Sequence, residues 1–461
     1  MNTQKLSDKL TYSKKSVYER DGKKNLALAM EYAEKYKSYL DAGKTERECV
    51  KISIALAEAA GYTEYKLGDD IKKGEKKYYN NRGKNLLLFS IGKEHINNGI
   101  RITAAHIDSP RIDLKQCPLY EEGGMAFFKT HYYGGIRKYQ WVATPLSLHG
   151  VFAKADGSVV EVNIGEDDND PLFYINDLLP HLGHKQGKDP LDDAIKGEQL
   201  NILVGSEPYT DEEENSIKLN VLKLLNEKYG ITEDDFLSAE LSAVPAAKAR
   251  DIGFDRSMIG AYGHDDRVCA YPALTALLDM KDSEHTAMCI LADKEETGSD
   301  GPSGMQSQIM IDLINEISSK LGGNPALVRA NSKCLSADVS AAYDPNFPDV
   351  FEKKNAAMLS CGVVFTKFTG SRGKSGTNDA NAEFIGWLRG LLANDGVIWQ
   401  AAELGKVDCG GGGTVAKYIS SHNIDTIDLG VPVISMHAPY EVISKADLYE
   451  AYRAMLAFYK Y

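Results

Sequence analysis

The stretch Ala287-Met-Cys-Ile-Leu-Ala292 is apolar without a break, and Asp293-Lys-Glu-Glu-Thr-Gly-Ser299 follows it directly. A short apolar run bounded by turn residues reads as a buried strand. Glu295 and Glu296 then stand where that strand ends. Open α/β sheets collect their chemistry beyond the carboxyl ends of strands. Two neighbouring carboxylates at such an end can divide the labour. One can hold a cation while the other stays free to carry a proton. The alternative is a solvated acidic turn, since exposed carboxylates are the default. The pair therefore gains meaning only from matching ligands elsewhere.

Such ligands recur in the same context. His106 and Asp108 follow the apolar Ile102-Thr-Ala-Ala105. His264-Asp265-Asp266-Arg267 opens a helix running from Val268 through Leu278. Asp338 sits in Leu335-Ser-Ala-Asp-Val339, and His437 in Val433-Ile-Ser-Met-His-Ala-Pro439. Each has an ordinary reading alone: a hydrogen-bonded histidine, a helix N-cap for Asp265-Asp266, a turn for Asp338. Together, two imidazoles and three carboxylates suit zinc, manganese or cobalt. Five protein ligands exceed one tetrahedral zinc. They suit two ions sharing a carboxylate, about 3.5–4 Å apart, with a hydroxide between them for hydrolysis. The spacing does not name a substrate.

The 461 residues exceed one simple core, and two domains are expected. Residues 20–60 read as helical, with a break at Asp41-Ala-Gly-Lys44. Strands are expected over Lys84–Ile91, Gly99–Ala105, Ala357–Phe365 and Ile424–Leu429, and helices over Gln306–Leu321 and Lys445–Tyr459. Between Pro110 and about residue 245 the texture changes to hairpin signals, such as the Asp-Gly turn within Val151–Val160. The acidic run Thr210–Asn215 reads as a solvated helix start. Cys409-Gly-Gly-Gly-Gly-Thr414 lacks a Gly-Lys-Ser/Thr ending and reads as a close-packed turn before a helix, not a phosphate loop.

The net charge of −13 argues against a nucleic-acid partner, because phosphate binding needs a basic face. Seven scattered cysteines without a Cys-x-x-Cys read as reduced core thiols. No apolar h-region opens the chain and no run is long enough to span a bilayer, so a cytoplasmic protein with no membrane partner is expected.

These motifs, in order, resemble the aspartyl aminopeptidase family of two-metal exopeptidases. The matching stretches are His106-Ile-Asp-Ser-Pro110, Asp265-Asp-Arg-Val-Cys-Ala270, Asp293–Ser299, Ser336-Ala-Asp338, Pro345-Asn-Phe347 and Gly430–Pro439. The resemblance implies an α/β fold. A split metallopeptidase domain, residues 1–107 and 248–461, has a mixed sheet flanked by helices. The resemblance also implies that residues 108–247 form an inserted β-rich lid and dimerisation domain. It implies that His106, Asp265 and Asp338 hold one zinc and that Asp265, Glu296 and His437 hold the other, with Asp265 bridging. Glu295 is then the general base, and Asp108 fixes the tautomer of His106. The implied activity is removal of N-terminal residues, acidic or neutral, from short peptides by a zinc-bound hydroxide. The implied assembly is a homo-oligomer, a closed tetrahedral dodecamer.

Within residues 133–150 the family's Trp/Asp/Arg-rich centre is replaced by Val142-Ala-Thr-Pro145. His181 matches a family histidine that completes a neighbouring subunit's site. An acidic first residue needs a cation, and Lys367, Arg372 and Lys374 lie in one loop that can supply it. Two rival readings remain: an N-acyl-amino-acid deacylase on the same metals, and an inert shell or binding paralogue.

Overall fold

The run at 287–292 lies inside the strand Thr286–Ala292, every residue of which is buried. Apolar side chains on both faces require cover on both faces, which a parallel strand between helix layers receives. The computed structural model describes residues 6, 10–20, 22–210, 214–281 and 283–461. Thr286–Ala292 is the fourth strand of a nine-stranded mixed sheet. Its neighbour is the equally buried Ile100–His106, paired in parallel so that Ala292 stands opposite His106. Lys333–Ser336 and Asp425–Gly430 continue the parallel set. The ends of Thr286–Ala292, Ile100–His106 and Lys333–Ser336 thus open at one edge, just before Glu295, Asp108 and Asp338.

Helices cover both faces. On one side lie Lys23–Ala42, His264–Asp279 and Lys445–Lys460, whose side chains share a core cluster with the sheet. His264–Asp279 is buried from His264 through Leu274, a helix covered on all sides because it lies inside the layer. Ile309–Lys320 and Pro325–Asn331 cover the opposite face.

Every strand of a second, seven-stranded sheet lies between residues 111 and 245. It closes on itself, because Ala239–Pro245 pairs with both Arg111–Glu122 and Pro145–Ala153. Closure covers all but one edge, that of Val159–Ile164, which pairs with Pro145–Ala153 alone. The Asp-Gly turn joins Pro145–Ala153 to Val159–Ile164 as an antiparallel hairpin. A third sheet, of five strands, carries Pro432–Ile434 and Glu441–Ser444 and holds the turn between them.

Two expectations need correction, and a third falls partly outside the described residues. The strand expected over 357–365 is only Val363–Thr366. Before it, Ser360 and Gly362 take positive φ, and both donate their N–H groups to the carboxylate of Asp447. Of the seven cysteines, all free, only Cys49, Cys269, Cys289 and Cys334 are core thiols; Cys117 and Cys409 are exposed. In the acidic run, residues 211–213 lie outside the described residues, and the helix begins at Ser216.

The closed sheet is latched to the first helices by a buried ionic cluster. Glu48, in the capping box of Glu46–Ala59, accepts from Nδ1 of His149 at 2.8 Å. Nε2 of His149 lies 3.1 Å from Glu166, which also takes Lys44 at 2.6 Å and Lys248 at 2.6 Å. Burial disfavours the imidazolium, but hydrogen bonds to Glu166 and Glu48 outweigh it and raise the pKa of His149 above 6.5. A raised pKa stabilises fully below the unfolded value and fades as pH climbs through the folded one. Glu48 and Glu166 are held below 4.5 in spite of burial, chiefly by His149, so their contribution fades only in acid. The latch is therefore strongest between about pH 4.5 and 6.5. His149→Gln is expected to cost ~2–3 kcal/mol at pH 6, the scale of a charged hydrogen bond. Denaturant melts at pH 6 and pH 9 should show that gap shrinking at the higher pH.

Candidate metal centre

His106 ends its strand, and its buried ring is held through Nδ1. The backbone carbonyl of Asp108 accepts at 3.0 Å, with Asp108 Oδ1 at 3.4 Å. His437 stands in the turn after Pro432–Ile434, with φ +64, and its Nδ1 meets the carbonyl of Gly135 at 2.8 Å. A ring nitrogen facing a carbonyl must carry the proton, so in each neutral ring Nε2 is the lone pair. Both lone pairs point at one carboxylate. His106 Nε2 lies 3.1 Å from Asp265 Oδ1, and His437 Nε2 lies 3.1 Å from Asp265 Oδ2. Acceptor against acceptor is repulsive unless positive charge stands between them.

The other carboxylates close around the same point. Asp338 Oδ1 and Glu295 Oε2 are 3.9 and 3.8 Å from His106 Nε2, and Glu296 Oε2 is 3.5 Å from His437 Nε2. Glu296 Oε1 is buried without a hydrogen-bond partner among the described residues. Ligand atoms within 4.8 Å of one another form the sets His106/Asp265/Asp338, Asp265/Glu296/His437 and His106/Glu295/Glu296. The first two share Asp265. Imidazole and carboxylate donors of this kind fit zinc. Of the adjacent aspartates, Asp265 is the one between the imidazoles. Asp266 turns inward, accepting from the His106 N–H at 3.3 Å.

Burial and mutual repulsion raise the proton affinity of the clustered carboxylates. Burial first, then the charge of Asp265, drives Glu296 well above its ordinary range. Burial, then Asp266 and Glu295, does the same for Asp338. Glu295 rises to about 7 through burial, with Asp265 and Asp108 adding to it against the pull of His106. Against its own burial, His437 rises to about 10 through Asp265 and Glu296.

Asp108 does more than touch His106. Its carboxylate accepts the N–H groups of Glu295 at 3.1 Å and Glu296 at 3.2 Å, and the hydroxyl of Tyr133 at 2.7 Å. Glu441, absent from the sequence reading, is buried and accepts the N–H of Asp265 at 3.0 Å and of His437 at 2.7 Å. It rises to about 8 through burial and the charge of Asp265. Its only sequence signal is its place four residues after His437. Gly430 permits the close approach of Asp338, since a Cβ there would lie 1.6 Å from the Asp338 carbonyl oxygen.

Asp265, Glu295, Glu296, Asp338 and His437 line a cavity of about 590 Å³, together with Gly411–Gly413, Lys417 and Tyr418. The structure does not bring every expected residue to it. Lys367 pairs with Asp379, as does Lys374 at 3.1 Å. Arg372 is on an exposed turn, and His181 is exposed at residues 180–183. None of these lines the cavity; among the described residues, Lys417 is the one lysine or arginine that does.

Residues 39–459 match the model of the aminopeptidase I zinc metalloprotease family, M18. The chain belongs to the M18 family of zinc aminopeptidases. A probable M18 family aminopeptidase 1 of Clostridium acetobutylicum is 51% identical over 96% of this chain and 97% of its own length. The crystal structure of an M18 aminopeptidase from Thermotoga maritima superposes with a TM-score of 0.93 at 42% identity, covering 98% of this chain and all of that one. Aminopeptidase I of C. acetobutylicum gives 0.92 at 46% over the same shares. The yeast mApe1 dodecamer shares the fold at 20% identity, with a TM-score of 0.76 over 93% of this chain and 96% of that one. The M18 chain is thus a metallo-aminopeptidase, a hydrolase of peptide bonds on a mixed α/β fold.

Proposed function

We propose that the enzyme removes the first residue of short peptides with a free α-amine, using two divalent ions. The supporting observation is the shared position of Asp265 between two imidazoles. In this reading His106, Asp265 and Asp338 hold one ion, and Asp265, Glu296 and His437 the other. Zinc, when bound, polarises the scissile carbonyl and makes water acidic enough to attack at neutral pH. Glu295 takes a proton from the attacking water and returns it to the leaving amine nitrogen. Asp108 holds the Glu295 and Glu296 backbone in place, and Glu441 does so for Asp265 and His437.

Residues 108–247, by the same proposal, act as a lid and dimerisation domain of a cytoplasmic homo-oligomer, a tetrahedral dodecamer. Exposed Leu178, Leu179 and Leu182 around His181 give that segment an apolar surface suited to a second subunit. No described helix is long and apolar enough to cross a membrane.

An acidic first residue is the proposed preference, with Lys417 as its cation. A charged hydrogen bond is worth ~1.5–3 kcal/mol, so Lys417→Met should lower kcat/KM for Asp and Glu substrates ~10–100-fold and spare neutral ones. The same loss in Lys367→Ala or Arg372→Ala, with Lys417→Met unchanged, would place the role in the exposed loop. The broader test is a panel of aminoacyl substrates with free and blocked amines, offered to metal-stripped protein reloaded with zinc, manganese or cobalt. Metal-dependent release from free amines alone supports the proposal. Release from blocked amines alone would establish a deacylase, and silence with two ions bound an inert paralogue.

A further inference from the structure

The closed sheet sends one segment into the metal centre. Tyr133 ends the strand Met125–Tyr133, and Gly134 and Gly135 follow it. Three successive residues make three different contacts. The Tyr133 hydroxyl donates to Asp108 Oδ2, the same carboxylate that holds the N–H groups of Glu295 and Glu296. Gly134, with φ +77, packs where a Cβ would stand 3.3 Å from Glu296 Cβ and Oε2. The Gly135 carbonyl takes the Nδ1 proton of His437 and so fixes which nitrogen faces Asp265.

The tyrosine is itself held. Its ring is buried, with the Arg111 guanidinium 4.1 Å above its centroid and the Lys294 ammonium 5.2 Å away. Arg111 is fixed by Glu46 at 2.9 Å and Asp113 at 2.8 Å. The strap is thus anchored to the helix Glu46–Ala59 as well as to the closed sheet. On the Asp338 side, His106 is held by its own strand and by Asp108, and among the described residues no hydrogen bond joins the three strap residues to Asp338.

We infer that Tyr133-Gly134-Gly135 is a positioning strap that couples the closed sheet to one half of the metal centre, the Glu296/His437 half. Partners that orient metal ligands typically carry 10–100-fold in metal affinity. The strap touches that half directly at Gly134 and Gly135, and Tyr133 supports it through Asp108 Oδ2, the oxygen that takes the Glu296 N–H; His106 is held instead chiefly by the Asp108 carbonyl. Coupling is reciprocal, so an ion bound by Glu296 and His437 must also quieten the strap. This inference rests on the proposed assignment of Glu296 and His437 as ligands.

The test is zinc titration of metal-stripped wild type and Tyr133→Phe by competition with a chromophoric chelator. Hydrogen exchange of the peptide spanning 131–137 is measured in wild type with and without zinc. Phenylalanine keeps the ring beneath Arg111 and removes only the donor to Asp108. The expected result is two zinc ions in both proteins, one of them bound ~10–100-fold more weakly in the variant, as is typical of lost ligand support. The kcat at sub-saturating zinc falls while KM stays within about twofold, since the strap is argued to orient ligands and not substrate. Zinc should slow exchange at 131–137 in wild type. Two ions with unchanged affinities in Tyr133→Phe, and strap exchange indifferent to zinc, would overturn the strap while leaving the ligand assignment intact. Fewer than two ions in wild type would overturn the assignment and the strap with it. If Tyr133→Phe does not fold, the wild-type exchange measurement decides alone.

Discussion

Glu295→Gln is expected to lower kcat by ~10²–10⁴-fold, the usual worth of a positioned acid–base group, while leaving metal content unchanged. Glutamine keeps the size of the side chain and its backbone bond to Asp108, but it cannot accept and return a proton. The ligand sets His106/Asp265/Asp338 and Asp265/Glu296/His437 do not contain Glu295, so both should persist. KM should move little, because the loss falls on the transition state. Metal analysis beside steady-state kinetics checks this. Full activity in the variant would remove Glu295 as the base. Loss of metal together with activity would make it a ligand, as the set His106/Glu295/Glu296 allows.

Asp265→Asn is expected to be more severe. Asp265 is the one residue in both ligand sets, and its carboxylate lies against both imidazole Nε2 atoms at 3.1 Å. An amide supplies one neutral oxygen and an NH₂ that competes with a cation. Each ion supplies several kcal/mol to the transition state, and at about 1.4 kcal/mol per tenfold a loss of ~6 kcal/mol is ~10⁴-fold. Metal content should fall along with activity, and excess zinc should not restore the rate. Asp266→Asn is the control. Asp266 contacts the His106 N–H and not the lone pairs, so that variant should keep measurable metal. The reverse order of effects would exchange the two aspartates.

The clustering of the candidate residues was legible in the sequence because most of the proposed ligands follow an apolar run. His106 ends a parallel strand, Glu295 and Asp338 stand just past others, and a buried parallel strand is a continuous hydrophobic segment that ends where the chemistry begins. Glu441 was not legible. It sits in a short strand, and its two oxygens serve backbone N–H groups, a task that leaves no motif. Gly135 acts through its carbonyl, which every residue has. The cavity cation was sought in the loop with the most positive charge, yet Lys367 and Lys374 are taken up by Asp379, while Lys417 reaches the wall from the helix Ala416–Ser420. Charge density along a chain does not report which side chains share a cavity. The latch at His149 draws on Lys44, Glu48, Glu166 and Lys248, which only the docking of the closed sheet brings together.

The central claim is two ions sharing Asp265. The most direct measurement is anomalous diffraction at the zinc edge from crystals of zinc-loaded protein. The account requires two peaks about 3.5–4 Å apart, with the Asp265 carboxylate between them, His106 and Asp338 at one and Glu296 and His437 at the other. A single peak, or a second ion held away from Asp265, would contradict it.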